Sequence, residues 1–312
     1  MRAIEFQNGD RMPLMGLGTW LLNKNEVYNA VSDAIHIGYR HFDCASIYGN
    51  EAEIGRALHD ALKDGLVKRE DLFVTSKLWN SDHAPERVEM ALKKSLNDLQ
   101  LEYLDLYLIH WPVAFRSGCE HAGEASDLVS LEEIPLSVTW LAMAKMKVIN
   151  LTRHIGVSNF NIIKLQQLID ETSIIPELNQ IELHPYFQQK DLVSFCQSKQ
   201  ILVTAYSPLG SSHLIKSENG LTREAVVLKI SKKHACTTAQ VLLAWGMQRG
   251  TAVIPKSVHR VRIMENFGAL NVHLDTDDMN EMAILERNLR ITTGAFCALP
   301  GSSYTLKNIW EE

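Results

Sequence analysis

No stretch of this 312-residue chain is apolar over the length needed to span a bilayer. The opening residues MRAIEFQNGD mix charge and polarity and lack the apolar core of a signal peptide. Basic charge is also scarce, since 31 Lys and Arg face 37 Asp and Glu, a formal net charge of -6. That balance argues against general nucleic-acid or anionic-membrane binding, although one local basic patch for an anionic ligand remains compatible with it. Cysteine is sparse and scattered: Cys44, Cys119, Cys196, Cys236 and Cys297 are odd in number and form no CxxC pair. They read as reduced thiols of a cytoplasmic protein, not as a disulfide or zinc framework. No Pro/Ser-rich linker divides the chain, so one domain over residues 1–312 is expected. What is present, 46% hydrophobic and 22% charged residues, describes a soluble protein with a substantial core.

Strand-like runs and amphipathic helices alternate along that core. Ile4-Glu5-Phe6 followed by Asn8-Gly9 predicts an N-terminal β-hairpin. Asn25 is the expected cap of a helix whose stripe is Val27, Ala30, Val31, Ala34 and Ile35, stopping at Gly38. Asn50 is expected to cap the next, with Ile54, Ala57, Leu58, Ala61 and Leu62 inward and Gly65 as the stop. A third should start at Ser81 or Asp82, with Val88, Ala91, Leu92, Leu96 and Leu99 inward. The intervening runs are Met15–Gly18, Arg40–Phe42, Leu72–Ser76, Leu104–Ile109, Arg153–Val157, Glu177–Ile181, Ile201–Ala205 and Thr251–Ile254. Eight βα units predict an α/β chain folded as a (β/α)8 barrel, with an open doubly wound sheet as the alternative. The insertion Val113–Ile134 and the tail beyond Arg287 exceed the barrel's needs and read as long substrate loops.

Chemistry in such a barrel belongs at the C-terminal ends of the strands. There the sequence supplies Asp43 and Tyr48, Lys77, His110-Trp111, Ser158-Asn159, Gln180, Tyr206-Ser207 and Lys256-Ser257. A single polar residue at a strand end is usually a loop anchor, but here nearly every strand contributes one to the same rim. A buried Lys77 beside Tyr48 is expected to pull the phenol's pKa towards neutrality, with Asp43 keeping the lysine charged. His110 would hold the substrate oxygen or help shuttle the proton. Such a set donates a proton to an oxygen gaining negative charge, as carbonyl reduction requires. No nucleophile stands beside its base and no His, Asp or Glu group has metal-ligand spacing, so no metal is expected. The hydride must then come from a cofactor.

Gly16-Leu17-Gly18-Thr19-Trp20 begins like a dinucleotide fingerprint but lacks the third glycine, and a strand end placing Trp20 at the mouth is the preferred reading. The best anion site is the stretch from Lys256 and Ser257 through His259, Arg260 and Arg262 at a helix start. Positive charge there opposes the helix dipole, and an adenosine 2′-phosphate would explain it. A solvated basic turn is the alternative.

GYRHFDCASIYGNEAEIG (residues 38–55), FVTSKLW, LDLYLIHWP, IGVSNF, LNQIELHP, AYSPLG and IPKSV…RIMENF occur in the order found in aldo-keto reductases. Over nearly its whole length the chain resembles that family. The resemblance implies NADPH-dependent reduction of a small-molecule aldehyde or ketone, Tyr48 as general acid, Lys77 and Asp43 tuning it, and His110 orienting the carbonyl. It assigns Ser158, Asn159 and Gln180 to the nicotinamide carboxamide and Tyr206 to stacking on the ring. Ser207, Leu209 and Ser211 fall to the pyrophosphate, and Lys256, Ser257 and Arg262 to the 2′-phosphate. Glu265 and Asn266 fall near the adenine, with Thr19 and Trp20 also at the cofactor. Trp20, Trp79, Trp111 and Phe115 would line the carbonyl pocket beside Tyr48 and His110. Ala144 stands where many relatives have Glu, and Asn150, where Gly is usual, is expected to take the left-handed conformation. A connection at 212–221 shorter than the cofactor-clamping loop of animal aldose reductases argues against slowly released NADPH. The same fold also serves non-catalytic NADP(H)-binding barrels, which stays open as the alternative. A monomer with no nucleic-acid or membrane partner completes the expectation.

Overall fold

The computed structural model describes residues 2–211 and 220–310. One sheet holds eight parallel strands whose order in space follows their order in the chain. They are β1 (Gly16–Gly18), β2 (His41–Asp43), β3 (Phe73–Leu78), β4 (Leu104–Ile109), β5 (Thr152–Ser158), β6 (Leu178–Glu182), β7 (Leu202–Tyr206) and β8 (Ala252–Val253). The two ends of the sheet meet, because Met15 bridges Val253 and the Gly18 amide donates to the Pro255 carbonyl at 3.1 Å. The result is a (β/α)8 barrel. Closure accounts for Gly18, where a Cβ would sit 2.7 Å from the Ile254 carbonyl oxygen. Glycine lets β1 and β8 approach that closely, which is what the incomplete fingerprint is for.

Around the barrel run α1 (Lys24–Ile37), α2 (Glu51–Lys63), α3 (Pro85–Leu99), α4 (Leu136–Val148), α5 (Ile162–Thr172), α6 (Lys190–Ser198), α7 (Ala225–Lys233), α8 (Thr238–Gln248), α9 (Arg260–Gly268) and α10 (Thr276–Ala283). The α1 stripe is buried as its spacing predicts. Its cap is Asn23 instead of Asn25, since the Asn23 side chain accepts the amides of Asn25 and Glu26 at 3.0 Å each. Asn50 precedes α2, but its side-chain amide donates to the carbonyls of Thr19 and Leu22, tying the helix start to the loop after β1. The third helix begins later than expected because Asn80–Asp82 forms a 3-10 turn and Pro85 takes the first helical position. Asn150 has φ +60, the left-handed conformation expected of it.

Strands β3 and β4 are buried throughout, as strands covered on both faces must be. The hairpin of Ala3–Glu5 and Arg11–Pro13 brings Phe6 and Met12 against Phe73, Leu106, Leu108 and Leu178, closing the N-terminal end. The other end stays accessible. There the insertion forms a two-stranded ribbon, Ala114–Phe115 with Leu128–Val129. The last element of the tail among the described residues is α11 (Leu306–Trp310). Among the described residues, no helix is long and apolar enough to cross a membrane.

Candidate active site

Strand β2 ends on Asp43, and its neighbour β3 carries Lys77. The Lys77 ammonium, with no solvent exposure, lies 2.7 Å from Asp43 Oδ2. It also donates to the Cys44 carbonyl at 2.8 Å and to the Tyr48 hydroxyl at 3.4 Å. Tyr48 reaches this point because Ser46–Tyr48 forms one 3-10 turn after β2, ended by Gly49 at φ +67. The other Asp43 oxygen accepts from Gln180 Nε2 at 2.6 Å, so the carboxylate is held from β3 and β6 together.

A buried ammonium persists only when paired. Burial alone would lower the Lys77 pKa, but Asp43 and Tyr48 outweigh it and raise the value above the ordinary lysine range. For Tyr48 the expected shift is reversed. Burial raises the phenol to about 12, outweighing the opposing pull of Lys77. The reason is that Asp43 neutralises the lysine, leaving a small net field at the hydroxyl. At neutral pH Tyr48 is therefore a phenol with its proton in place. Burial, followed by the nearby Lys77 charge, holds His110 well below its usual value and hence neutral.

The remaining strand ends interlock around this centre. Ser158 Oγ donates to the Gln180 carbonyl at 2.8 Å, and Asn159 Nδ2 to the His110 carbonyl at 2.9 Å. The Tyr206 hydroxyl donates to Asn159 Oδ1 at 2.8 Å, and Thr19 Oγ1 to the Asp43 carbonyl at 2.7 Å. Leu21, Asn159, Ser207 and Ser211 all have φ between +40 and +64. Such conformations cost energy in residues with a Cβ and concentrate at functional sites.

These residues enclose a cavity of about 530 Å3, within the range of ligand sites. Of the expected residues, Thr19, Trp20, Asp43, Tyr48, Trp79, His110, Trp111, Ser158, Asn159, Gln180, Tyr206, Ser207, Leu209, Ser211 and Lys256 line it. Phe115 does not: it is buried beside Trp79, ring centroids 6.0 Å apart, inside the insertion ribbon. Phe296, stacked on Trp79 at 6.1 Å, forms the wall instead, with Ile47, His121 and Thr292. Residue patterns announced the tail as a loop, but nothing in its sequence told which side chain folds inward. Ser257, Arg262, Glu265 and Asn266 lie beyond the cavity at the start of α9 and along it. There Arg260 pairs with Asp33 at 2.5 Å, whereas Lys256 and Arg262 have no ion-pair partner among the described residues. The short connection at 212–221 lies largely outside the described residues. A hollow of about 760 Å3 at the opposite end, between the hairpin and α4, is remote from every strand C-terminus and from this chemistry.

Residues 14–287 match the Aldo/keto reductase family. The chain belongs to that family. Its members are oxidoreductases of carbonyl compounds that work with a nicotinamide cofactor. This aldo/keto reductase is 46% identical to an aldo/keto reductase of Synechocystis sp., over 100% of this chain and 97% of that one. Aldo-keto reductase family 1 member A1 of Bos taurus is 45% identical over 92% of this chain and 90% of its own. Among solved structures, the aldose reductase from Schistosoma japonicum superposes with a TM-score of 0.88 at 40% identity, covering 97% of this chain and 100% of that one. The family match stops at the root of the tail.

Proposed function

We propose that this aldo/keto reductase reduces aldehydes or ketones to alcohols with NADPH, and that Tyr48 is the general acid. The observation that carries the proposal is the buried Asp43–Lys77–Tyr48 array opening on a cavity beside a neutral His110. When bound, the reduced nicotinamide supplies the hydride. Tyr48, protonated at neutral pH, releases its proton to the oxygen that gains charge. The tyrosinate left behind is met by the Lys77 ammonium at 3.4 Å. Lys77 therefore stabilises charge that exists only late in the reaction, the condition under which binding energy accelerates a step. Asp43 keeps the ammonium in place, and neutral His110 offers a ring N–H to the same oxygen.

The residues present fit the cofactor. Gln180 Nε2 is occupied by Asp43, which leaves its side-chain carbonyl, with Ser158 and Asn159, for the carboxamide. Tyr206 would stack on the ring, and Ser207, Leu209 and Ser211 would face the pyrophosphate beyond it. Lys256 and Arg262, cations at the start of α9 without ion-pair partners among the described residues, favour a 2′-phosphate held with Ser257, and Glu265 and Asn266 would flank the adenine. Trp20, Trp79, Trp111 and Phe296 form an aromatic wall suited to a carbonyl with an apolar or aromatic substituent. We further propose one barrel domain over residues 1–312, its tail 287–312 covering the mouth, acting as a cytoplasmic monomer. The free thiol of every cysteine supports a reducing compartment.

The test mixes the protein with an aromatic aldehyde and either NADPH or NADH and follows loss of the reduced nicotinamide. Turnover with a clear preference for NADPH is expected. No turnover with either cofactor would sink the reductase reading and favour a non-catalytic barrel.

A further inference from the structure

Strand β6 sends two polar side chains to one face of the barrel rim. Gln180 reaches Asp43; Glu182, two residues on and so on the same face, reaches the C-terminal tail instead. Its Oε1 accepts the Ile291 amide at 2.7 Å and its Oε2 the Thr292 amide at 2.7 Å. His184 Nε2 lies 2.9 Å from Oε1, and neither side chain has any exposure. Burial would raise this carboxyl, but His184 and the two amides outweigh it and hold the group below its usual range. Glu182 is thus a buried anion held by neutral backbone donors of another segment, an arrangement that is costly to leave half satisfied.

Downstream of those two amides, the tail makes the pocket. Thr292 lines the cavity, and Phe296 stacks on Trp79 and meets the Trp111 ring edge-on at 5.1 Å. Trp310 donates to the Thr293 carbonyl at 2.6 Å and packs against Trp111 at 5.7 Å. Glu182 itself does not line the cavity and bonds to none of Asp43, Tyr48, Lys77 or His110.

We propose that Glu182 is a positioning residue that roots the C-terminal tail, so that carbonyl fit depends on a side chain outside the pocket. The inference rests on the reductase reading for its substrate, but not for its structural half. Glu182→Gln keeps the side-chain size while turning an N–H group towards one of the tail amides. Ile291→Pro removes one of those amide donors and leaves Glu182 intact.

Each variant is compared with wild type by kcat and KM for an aromatic aldehyde, by the Kd for NADPH, and by tryptic cleavage at Arg287, a bond that neither change alters. For either variant the KM should rise about tenfold, the scale of one lost bond to a charged group, with kcat and NADPH affinity nearly unchanged. Cleavage at Arg287 should accelerate. Because both changes act on the same anchor, the effect of the double variant should fall short of the sum of the two single ones. Wild-type KM and cleavage in Ile291→Pro, a fall in kcat alone, or additive effects of the two changes would each overturn the anchor. If wild type itself shows no turnover, the reductase reading fails, while the cleavage rates still decide the anchor. Should Glu182→Gln not fold, Ile291→Pro carries the test.

Discussion

Lys77 stays charged without solvent because Asp43 lies 2.7 Å from it, and Asp43 in turn accepts from both Lys77 and Gln180. Lys77→Met leaves that carboxylate buried and unpaired, a change expected to cost about 3–5 kcal/mol. Urea unfolding measures it; a loss below about 1 kcal/mol, the size of a surface pair, would show that Asp43 finds water. The four residues of the site were legible because polar side chains at the ends of apolar strands are conspicuous. The direction of the Tyr48 shift was not, because it depends on how completely the phenol is buried and on Asp43 cancelling Lys77. Phe115 and Phe296 exchanged places for a related reason: both sit in loops, where no periodicity tells inward from outward.

At the start of α9 two arginines two residues apart have different fates. Arg260 is committed to Asp33 on α1, and Arg262 has no ion-pair partner among the described residues. Arg262→Ala should weaken NADPH binding by about 1.5–3 kcal/mol and NADH binding little. Arg260→Ala should leave both nearly unchanged. Equal losses of the two cofactors in Arg262→Ala, read by titration, would refute the 2′-phosphate assignment. The sequence had counted both arginines towards the anion, since a salt bridge between helices is invisible without their packing. Where α2 crosses α3, a Cβ on Gly55 would meet the Asp98 carbonyl oxygen at 2.2 Å. Gly55→Ala should therefore destabilise by about 1–3 kcal/mol or more, and an unchanged melting temperature would contradict this packing. Helix stripes and stops were readable from spacing. The displaced cap of α1 was not, because Asn23 and Asn25 are chemically equivalent candidates.

Across the whole molecule, barrel closure followed from counting eight alternating units, whereas the side chains that the two long loops place in the cavity wall did not. The carboxyls of Glu177 and Glu182 both lie below the ordinary 4.5 in the folded protein, because hydrogen bonds, chiefly from His154 and His184, outweigh burial. Their stabilisation is fully present above that value and is lost as pH falls through the folded values. The melting temperature should therefore drop on acidification below 4.5, and less steeply in Glu182→Gln, which has no such proton to take up. A parallel drop in that variant would assign the acid sensitivity elsewhere. Helix α4 exposes Val138, Leu141 and Val148 opposite its buried Trp140 and Met143. Sedimentation over a range of concentrations checks the monomer against that apolar face.

The central claim concerns one proton, the one Tyr48 holds. Tyr48→Phe keeps the ring and its packing and removes only that donor. A single turnover of the NADPH complex with an aromatic aldehyde, compared between the two proteins at equal cofactor saturation, isolates its contribution. The account predicts a loss of about 10²- to 10⁴-fold in the rate of nicotinamide oxidation, with NADPH affinity retained. An unchanged rate would contradict it.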